Sequence, residues 1–427
     1  MKFKTFSLTS FAAIALLSFA ACSSTEDVTD PVLSASAKTV RISIIQGDAS
    51  TKALSGAAAS NLVNDNEGLT ISTGGHLFFV NEVGSITKYV KILVTGQNSL
   101  NLGTEVGIDA LKTGGAIIED VSSSSKRVYI YLNLPTSVTG ISTALVNGPF
   151  SVVSDKLITA SELAGVGVEK VPVSGSGPLT TVDNPDYGLE TTVTLKAVAA
   201  RIEIPKVSVI PSPVSGYTIA SFKLAGIFIN NFFHQSTLGG LAPADLINTT
   251  DLAGTSDAIR KLYYPTDASF YFTAANHAEK LYTADSDAGL GGSTLVKEAG
   301  AGKAWAYNVF PNEQAADATT YLPLDAVNTK AYLPHIVFHF SEVTLESAAG
   351  AQSTLTNQFV TVNGFNDGSS LDYLQRGYIY RFDTVAEAGL EISPDDLAPE
   401  PEQKTINAKV TAVLTPWALV TDITPEF

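Results

Sequence analysis

Thr39-Val40-Arg41-Ile42-Ser43-Ile44-Ile45 alternates in character, with Val40, Ile42 and Ile44 in one phase and Thr39, Arg41 and Ser43 in the other. A period of two is that of a β-strand with one buried face. A second strand-like run, Ala408-Lys409-Val410-Thr411-Ala412-Val413-Leu414-Thr415-Pro416-Trp417-Ala418-Leu419-Val420, lies near the other end of the sequence. Between them Val, Ile, Thr, Phe and Tyr recur in short runs: Arg127–Leu132, Ala220–Ile229 and His335–Phe340 are examples. Gly, Pro, Asn, Asp and Ser separate the runs, as at Gly74-Gly75 and Asn366-Asp367-Gly368. Many short strands with turn punctuation predict an all-β chain of β-sandwiches. Short helices are expected near Thr159–Leu163, Pro243–Ile247 and Asp257–Leu262.

Residues 1–21 have the pattern of an export signal. Lys2 and Lys4 supply positive charge and Phe11–Phe19 an apolar stretch shorter than the roughly 20 residues a spanning helix needs. Ala20-Ala21-Cys22 resembles a bacterial lipobox, with Phe19 where Leu is usual, so cleavage is expected between Ala21 and Cys22 and lipidation on Cys22. Cys22 is the single cysteine of the chain. Once lipidated it leaves no thiol for a disulfide, and the fold must rest on its core. Ser23-Ser24-Thr25-Glu26-Asp27 then reads as a polar acidic tether, and it resembles the signal that sends lipoproteins of Bacteroidales to the cell surface, which implies an outer-membrane location for the precursor.

With 45% hydrophobic and 16% charged residues, the 427-residue chain has ample material for large cores. Its net charge of −16 excludes a nucleic-acid partner and adsorption to anionic lipid, leaving the precursor's lipid as the membrane attachment.

No motif carries catalysis, so the chain is read as a non-enzyme with no catalytic residue, no metal and no cofactor. His335 and His339 have the spacing of helical zinc ligands, but they lie in a β-rich run and no Glu follows His335. Asp285-Ser286-Asp287-Ala288-Gly289 fails the EF-hand spacing and reads as a turn, and Asn64-Asp65-Asn66-Glu67-Gly68 as a polar loop. A glycan-binding surface lipoprotein stays open as an alternative. It would need exposed aromatic platforms, for which Trp305, Trp417 and tyrosines are available.

Turn-rich Asp183-Asn184-Pro185-Asp186-Tyr187-Gly188 sets an expected boundary between an N-terminal sandwich over residues 53–188 and a C-terminal one over residues 189–427. Ser393–Glu402, rich in proline and acids, reads as an extended linker that detaches the last strand. Gly47–Gly56 reads as an exposed loop in which Lys52-Ala53 is either a processing site or an ordinary loop sequence. In the final run Val410, Ala412 and Leu414 share one phase while Trp417 and Leu419 take the other. Pro416 lies between and cannot donate a ladder bond, so a bend and two segments, Ala408–Leu414 and Trp417–Thr421, are expected. On these residues alone an ordinary last strand packed in its own domain, with Trp417 in the core, is the favoured reading.

Several segments, in order, resemble the Bacteroidales type V pilins, the FimA-like and minor fimbrillins. They are Val40–Ala53, Arg127–Pro135, Ala197–Ile204, Leu374–Phe382 and Val410–Val420. The chain departs at Lys52, where the best-known members carry Arg, and at Gly377, where a polar residue is common. The resemblance implies two tandem transthyretin-like β-sandwiches and a subunit of an extracellular fimbrium, in the shaft or, alternatively, as a tip adhesin. It implies that residues 22–52 form a propeptide whose first strand (Val40, Ile42, Ile44) is removable. A trypsin-like, Arg/Lys-specific protease would cut between Lys52 and Ala53. The donor strand within residues 408–421 (Val410, Ala412, Leu414, Trp417, Leu419) would then complete the sandwich of another copy or of a related fimbrial subunit. A host or bacterial surface receptor would be a further partner.

Overall fold

A computed structural model describes residues 37–46, 73–94, 104–163, 171–210, 216–240, 244–247, 293–299, 304–312, 332–366, 369–382, 389–400 and 402–414. The first half contains β1 (Lys38–Gln46), β2 (Gly75–Asn81), β3 (Ile86–Leu93), β4 (Glu105–Gly107), α1 (Ile108–Lys112), β5 (Ala116–Val121), β6 (Ser125–Leu132), α2 (Ser151–Ser154), β7 (Leu157–Thr159), α3 (Ala160–Leu163), β8 (Val173–Pro178), β9 (Thr180–Thr181) and β10 (Leu189–Ala197). The strands run β4-β3-β2-β6-β8-β10-β1-β5, with β9 added beside β10. Residues Leu189–Leu195 of β10 pair with β1, whereas Lys196 and Ala197 pair with β8. That change of partner lets one continuous ladder serve both layers of a sandwich. Leu77, Phe79, Val128, Ile130, Val193 and the apolar face of β1 meet in one core.

The second half contains β11 (Ala200–Ile204), β12 (Lys206–Val209), β13 (Tyr217–Asn230), β14 (Phe232–Thr237), β15 (Ala244–Ile247), β16 (Val296–Glu298), β17 (Trp305–Val309), β18 (His335–Ser347), β19 (Gln352–Asn366), β20 (Tyr378–Phe382), β21 (Leu390–Ile392) and β22 (Thr405–Leu414). Its principal sheet runs β13-β18-β19-β22-β20-β11-β17 around a second core that includes Phe222, Phe338, Phe340, Phe365 and Phe382. Strand β22 changes layer as β10 does. Thr405–Lys409 lies parallel to β19, and Val410–Leu414 lies antiparallel to β20.

The all-β class read from the alternation is the class observed, in two sandwiches. The boundary differs. Leu189–Ala197, placed by sequence at the start of the second sandwich, is β10 of the first, because it is the strand that pairs with β1, β8 and β9. The division therefore falls at Val198–Ala199, between β10 and β11. The expected helix at Pro243–Ile247 is instead strand β15 over Ala244–Ile247, held by β14. Ala160–Leu163 is helical as expected, and Asp257–Leu262 lies outside the described residues.

Ser393–Glu402 is also not the extended linker expected. Pro394–Asp396 forms a 3-10 turn closed by a Ser393–Asp396 capping box, Leu397 and Ala398 are buried, and Ala398 exchanges two backbone hydrogen bonds with Phe359. Apolar side chains inside an acidic stretch dock it on the core. The last strand is consequently seated in its own sandwich.

The halves share a built joint. β14 pairs with β7 of the first half, and Phe232, Phe233, Leu238, Phe310 and Ile379 pack into the first core. Arg376 Nη1 donates to Ser174 Oγ (3.2 Å) and to the Gly239 carbonyl (2.5 Å), and the Gly377 amide donates to the Ala199 carbonyl (2.8 Å).

Candidate functional site

The candidate site is the slot filled by β1. This strand lies inside its sheet, parallel to β10 on one side and antiparallel to β5 on the other. Val40 and Ile42 are 0% exposed and Ile44 4%, so the three apolar residues of the alternating run all point into the core. Fully burying side chains of this size stabilises by roughly 1.5–3 kcal/mol each. Strand β5 has β1 as its sheet partner on the described path, so β1 links β5 to the rest of the layer.

The outward face of β1 is clasped as well. Arg41 Nε donates to the Gly114 carbonyl (2.8 Å), Nη2 donates to the same oxygen, and Nη1 donates to Tyr187 Oη (3.1 Å). The guanidinium carbon stands 5.7 Å from the centre of the Tyr187 ring, within cation–π range. Gly115 has φ +90°, and a Cβ there would come within 2.5 Å of Ser43 Oγ and 3.0 Å of Arg41 Nε. Glycine lets the Gly114-Gly115 backbone close over the strand. The alternation identified the inward face of β1, but it passed over Arg41, Gly114, Gly115 and Tyr187. A doubled glycine and an aromatic residue inside the Asp183–Gly188 turn were the signals available.

Direction follows from register. β1 is parallel to β10, and β10 leads at Ala197 into the second half. Lys38 therefore lies at the end of the slot away from the second half, and Gln46 at the end facing it. Lys52, Ala53, Ala21 and Cys22 lie outside the described residues, as do Trp417, Leu419, the Pro416 bend, Asp285–Gly289 and Asn64–Gly68.

Ala408 and Val410 of the expected donor are buried in the second core, and Lys409 between them is exposed. The root of β22 is fixed at Glu402, which adopts the left-handed φ of +60°. His335 Nδ1 lies 2.8 and 2.9 Å from its carboxylate oxygens, Asn230 Nδ2 donates to it (2.8 Å), and its amide donates to Thr361 Oγ1 (2.9 Å). Three strands thus hold one residue in a conformation that L-amino acids rarely adopt. His339, four residues from His335, is buried and stacked on Phe359 at 4.8 Å, and burial pushes its imidazole down to about 4. Glu203 on β11 is fully buried between Arg201 (2.8 Å) and Arg381 (2.9 Å). Among the described residues no three His, Cys, Asp or Glu side chains form a metal-holding group. Trp305 is 4% exposed and so offers no platform for a sugar ring.

No family model and no curated protein matches the chain. Solved structures do. Its structural neighbours include fimbrial and candidate cell-adhesion proteins. A candidate cell adhesion protein from Parabacteroides distasonis ATCC 8503 is similar at TM-score 0.44 and 13% identity, over 90% of this chain and 98% of that one. A fimbrilin, FimA, from Porphyromonas gingivalis W83 is similar at TM-score 0.39 and 13% identity, over 87% and 96%. The C-terminally truncated tip fimbrial protein Mfa3 of Porphyromonas gingivalis is similar at TM-score 0.36 and 11% identity, over 88% and 99%.

Proposed function

We propose that the protein is a subunit of a cell-surface fimbrium serving adhesion. It is exported as a lipoprotein through Cys22, cut between Lys52 and Ala53, and assembled by strand exchange. One observation carries the reading. β1 is an interior strand whose apolar face is sealed in the core, yet among the described residues it precedes every other element, and it is joined to β2 through the stretch that contains Lys52. A single cut in that stretch separates the strand covalently from the sandwich it completes. Its loss would leave an apolar slot with bare edges on β5 and β10, which a strand from another copy can satisfy in both hydrophobic and hydrogen-bonding terms. The contact is head-to-tail and does not close on itself, so it yields a filament.

The donor is the C-terminal segment. Its withdrawal leaves β19 and β20 without β22 between them, so exchange sets the filling of the slot against the opening of the donor's own sheet. A place in the shaft and a place at the tip both use this slot.

The test is to treat purified precursor with trypsin. Loss of residues 22–52 together with SDS-resistant ladders is expected. An intact Lys52-Ala53 bond, or a cut at that bond with only monomer on the gel, overturns the proposal.

A further inference from the structure

The outward face of β1 and the sequence of β22 share a pattern. Val40-Arg41-Ile42-Ser43-Ile44 reads apolar, basic, apolar, hydroxyl, apolar, and Ala408-Lys409-Val410-Thr411-Ala412 repeats that order in the same chain direction. With proline not counted as apolar, the pattern occurs at these two places and nowhere else in the 427 residues. The nearest other run, Pro205-Lys206-Val207-Ser208-Val209, begins with proline. Alternation alone accounts for the three apolar positions. It does not account for a cation second and a hydroxyl fourth.

The structure shows what the cation position meets. Arg41 is taken up by the Gly114 carbonyl from the β5 side and by the Tyr187 hydroxyl and ring from the β10 side. Its register partner on β10 is Glu190. A carbonyl oxygen, a π-face and a neighbouring carboxylate position form a receptor for a positive charge, which an ammonium can enter as a point charge while making fewer directed hydrogen bonds than the guanidinium. That receptor belongs to β10 and the turn before β5, so it stays with the sandwich when β1 leaves. At the hydroxyl position Gly115 approaches Ser43 Oγ, and a Thr in Ser43's place keeps that hydroxyl.

Resting on the strand-exchange reading above, we infer that Ala408–Ala412 of a second copy takes the place of Val40–Ile44 in the same direction and register. Lys409 then occupies the Arg41 site as the residue that sets that register. Val410 takes Ile42's place and Thr411 takes Ser43's. A donor running this way enters at the Lys38 end of the slot, away from the second half. The body of the donor copy then stands beyond the free end of the acceptor, as an end-to-end filament requires. A donor running the other way would place its body at the acceptor's joint. A register two residues later would put larger side chains, Val410, Ala412 and Leu414, in the core. It would also put Thr411 in the cation receptor and Val413 on the outward face. The two registers therefore make opposite demands on the outward face.

The experiment uses the full chain with Cys22→Ser, so that introduced cysteines are the only thiols. Ser43 is the register partner of Thr192, which is exposed on β10. The two strands are parallel neighbours, and neighbouring strands lie about 4.7–4.9 Å apart, within the Cα separation that a disulfide spans. After trypsin treatment, Thr192→Cys with Thr411→Cys is expected to give disulfide-linked neighbours under mild oxidation, while Thr192→Cys with Val413→Cys stays unlinked. In otherwise unaltered chains, Lys409→Glu should slow ladder growth about tenfold or more, and Lys409→Arg should not slow it. In a Tyr187→Leu background the difference between Lys and Glu at position 409 should shrink, a coupling that a purely structural Lys409 would not show. Ladders linked through position 413, or through Leu419→Cys, overturn the register and leave strand exchange standing. Ladders that grow equally fast with Lys409→Glu overturn the cation site. Cleavage without any ladder overturns both this inference and the strand-exchange reading.

Discussion

Ile42→Ala separates the precursor from the assembled form. Ile42 is fully buried at the middle of the inward face of β1, flanked by Val40 and Ile44. Replacing it with Ala removes three carbons and leaves a cavity walled by a packed sandwich, a change that costs roughly 2–5 kcal/mol at such sites. With a urea dependence of about 2 kcal/mol per M, the transition of the first sandwich should fall by about 1–2.5 M in the precursor. The same loss weakens the hold on the cut strand, and 2–3 kcal/mol corresponds to a roughly 30- to 150-fold faster release when the departing strand's contacts are broken before the barrier. Processed, assembled protein no longer contains residue 42, so its stability should match wild type. The assay is urea unfolding of uncut precursor and of purified ladders, followed by intrinsic fluorescence, with release of the 22–52 fragment timed by mass spectrometry. A precursor midpoint within about 0.3 M of wild type, or an equal loss of stability in the ladders, would refute the assignment of β1 as a removable plug.

Other perturbations have equally definite outcomes. Burial holds His339 neutral in the fold with its pKa lowered to about 4, while the unfolded chain takes up a proton below about 6.5. Its contribution is therefore full above pH 6.5 and declines as pH falls toward 4, by up to about 3 kcal/mol. His339→Phe should flatten that part of the stability–pH curve relative to wild type, measured by chemical denaturation at each pH. Glu203→Ala removes the fully buried carboxylate between Arg201 and Arg381, and should lower the stability of the second sandwich by about 3–5 kcal/mol in urea unfolding. Glu402→Ala and Glu402→Gly both delete the carboxylate that anchors the root of β22, and Gly also relieves the left-handed backbone. Faster amide hydrogen exchange over Thr405–Val410 is expected in both variants. Unchanged exchange would show that Glu402 does not anchor the strand.

Local pattern revealed most strands but few of their partners. β1, β6, β13 and β18 stand where alternation (β1) and short runs of Val, Ile, Thr, Phe and Tyr (the others) predict strands; one face of β1 meets a core, whereas Ile336–Phe340 of β18 is buried on both faces. Phe232 and Phe233 look like an ordinary core strand, yet they pack on the first sandwich, an outcome set by the pairing of β14 with β7. Ala244–Ile247 has a helix-compatible composition, but β14 offers it a ladder. The charge and prolines of the stretch before β22 suggest a linker, while the two apolar residues Leu397 and Ala398 decide its placement. Glu203 sits in the outward phase of Ala200-Arg201-Ile202-Glu203-Ile204. Its burial depends on Arg381, 178 residues later, and no local pattern carries that information. At the slot, the inward face was legible from alternation. The clasp on the outward face was not, because Arg41, Gly114 and Tyr187 are brought together only by the pairing of β1 with β5 and β10.

The most direct measurement is capture of a C-terminal peptide. A labelled peptide of residues 405–427 is added in excess to precursor as trypsin cuts it, and unheated samples are run in SDS. If the slot of β1 accepts the C-terminal strand, the label migrates with the product beginning at Ala53, in about one-to-one ratio, and ladder growth stops. Label bound equally to uncut precursor, or absent from a product that has lost β1, would contradict the account.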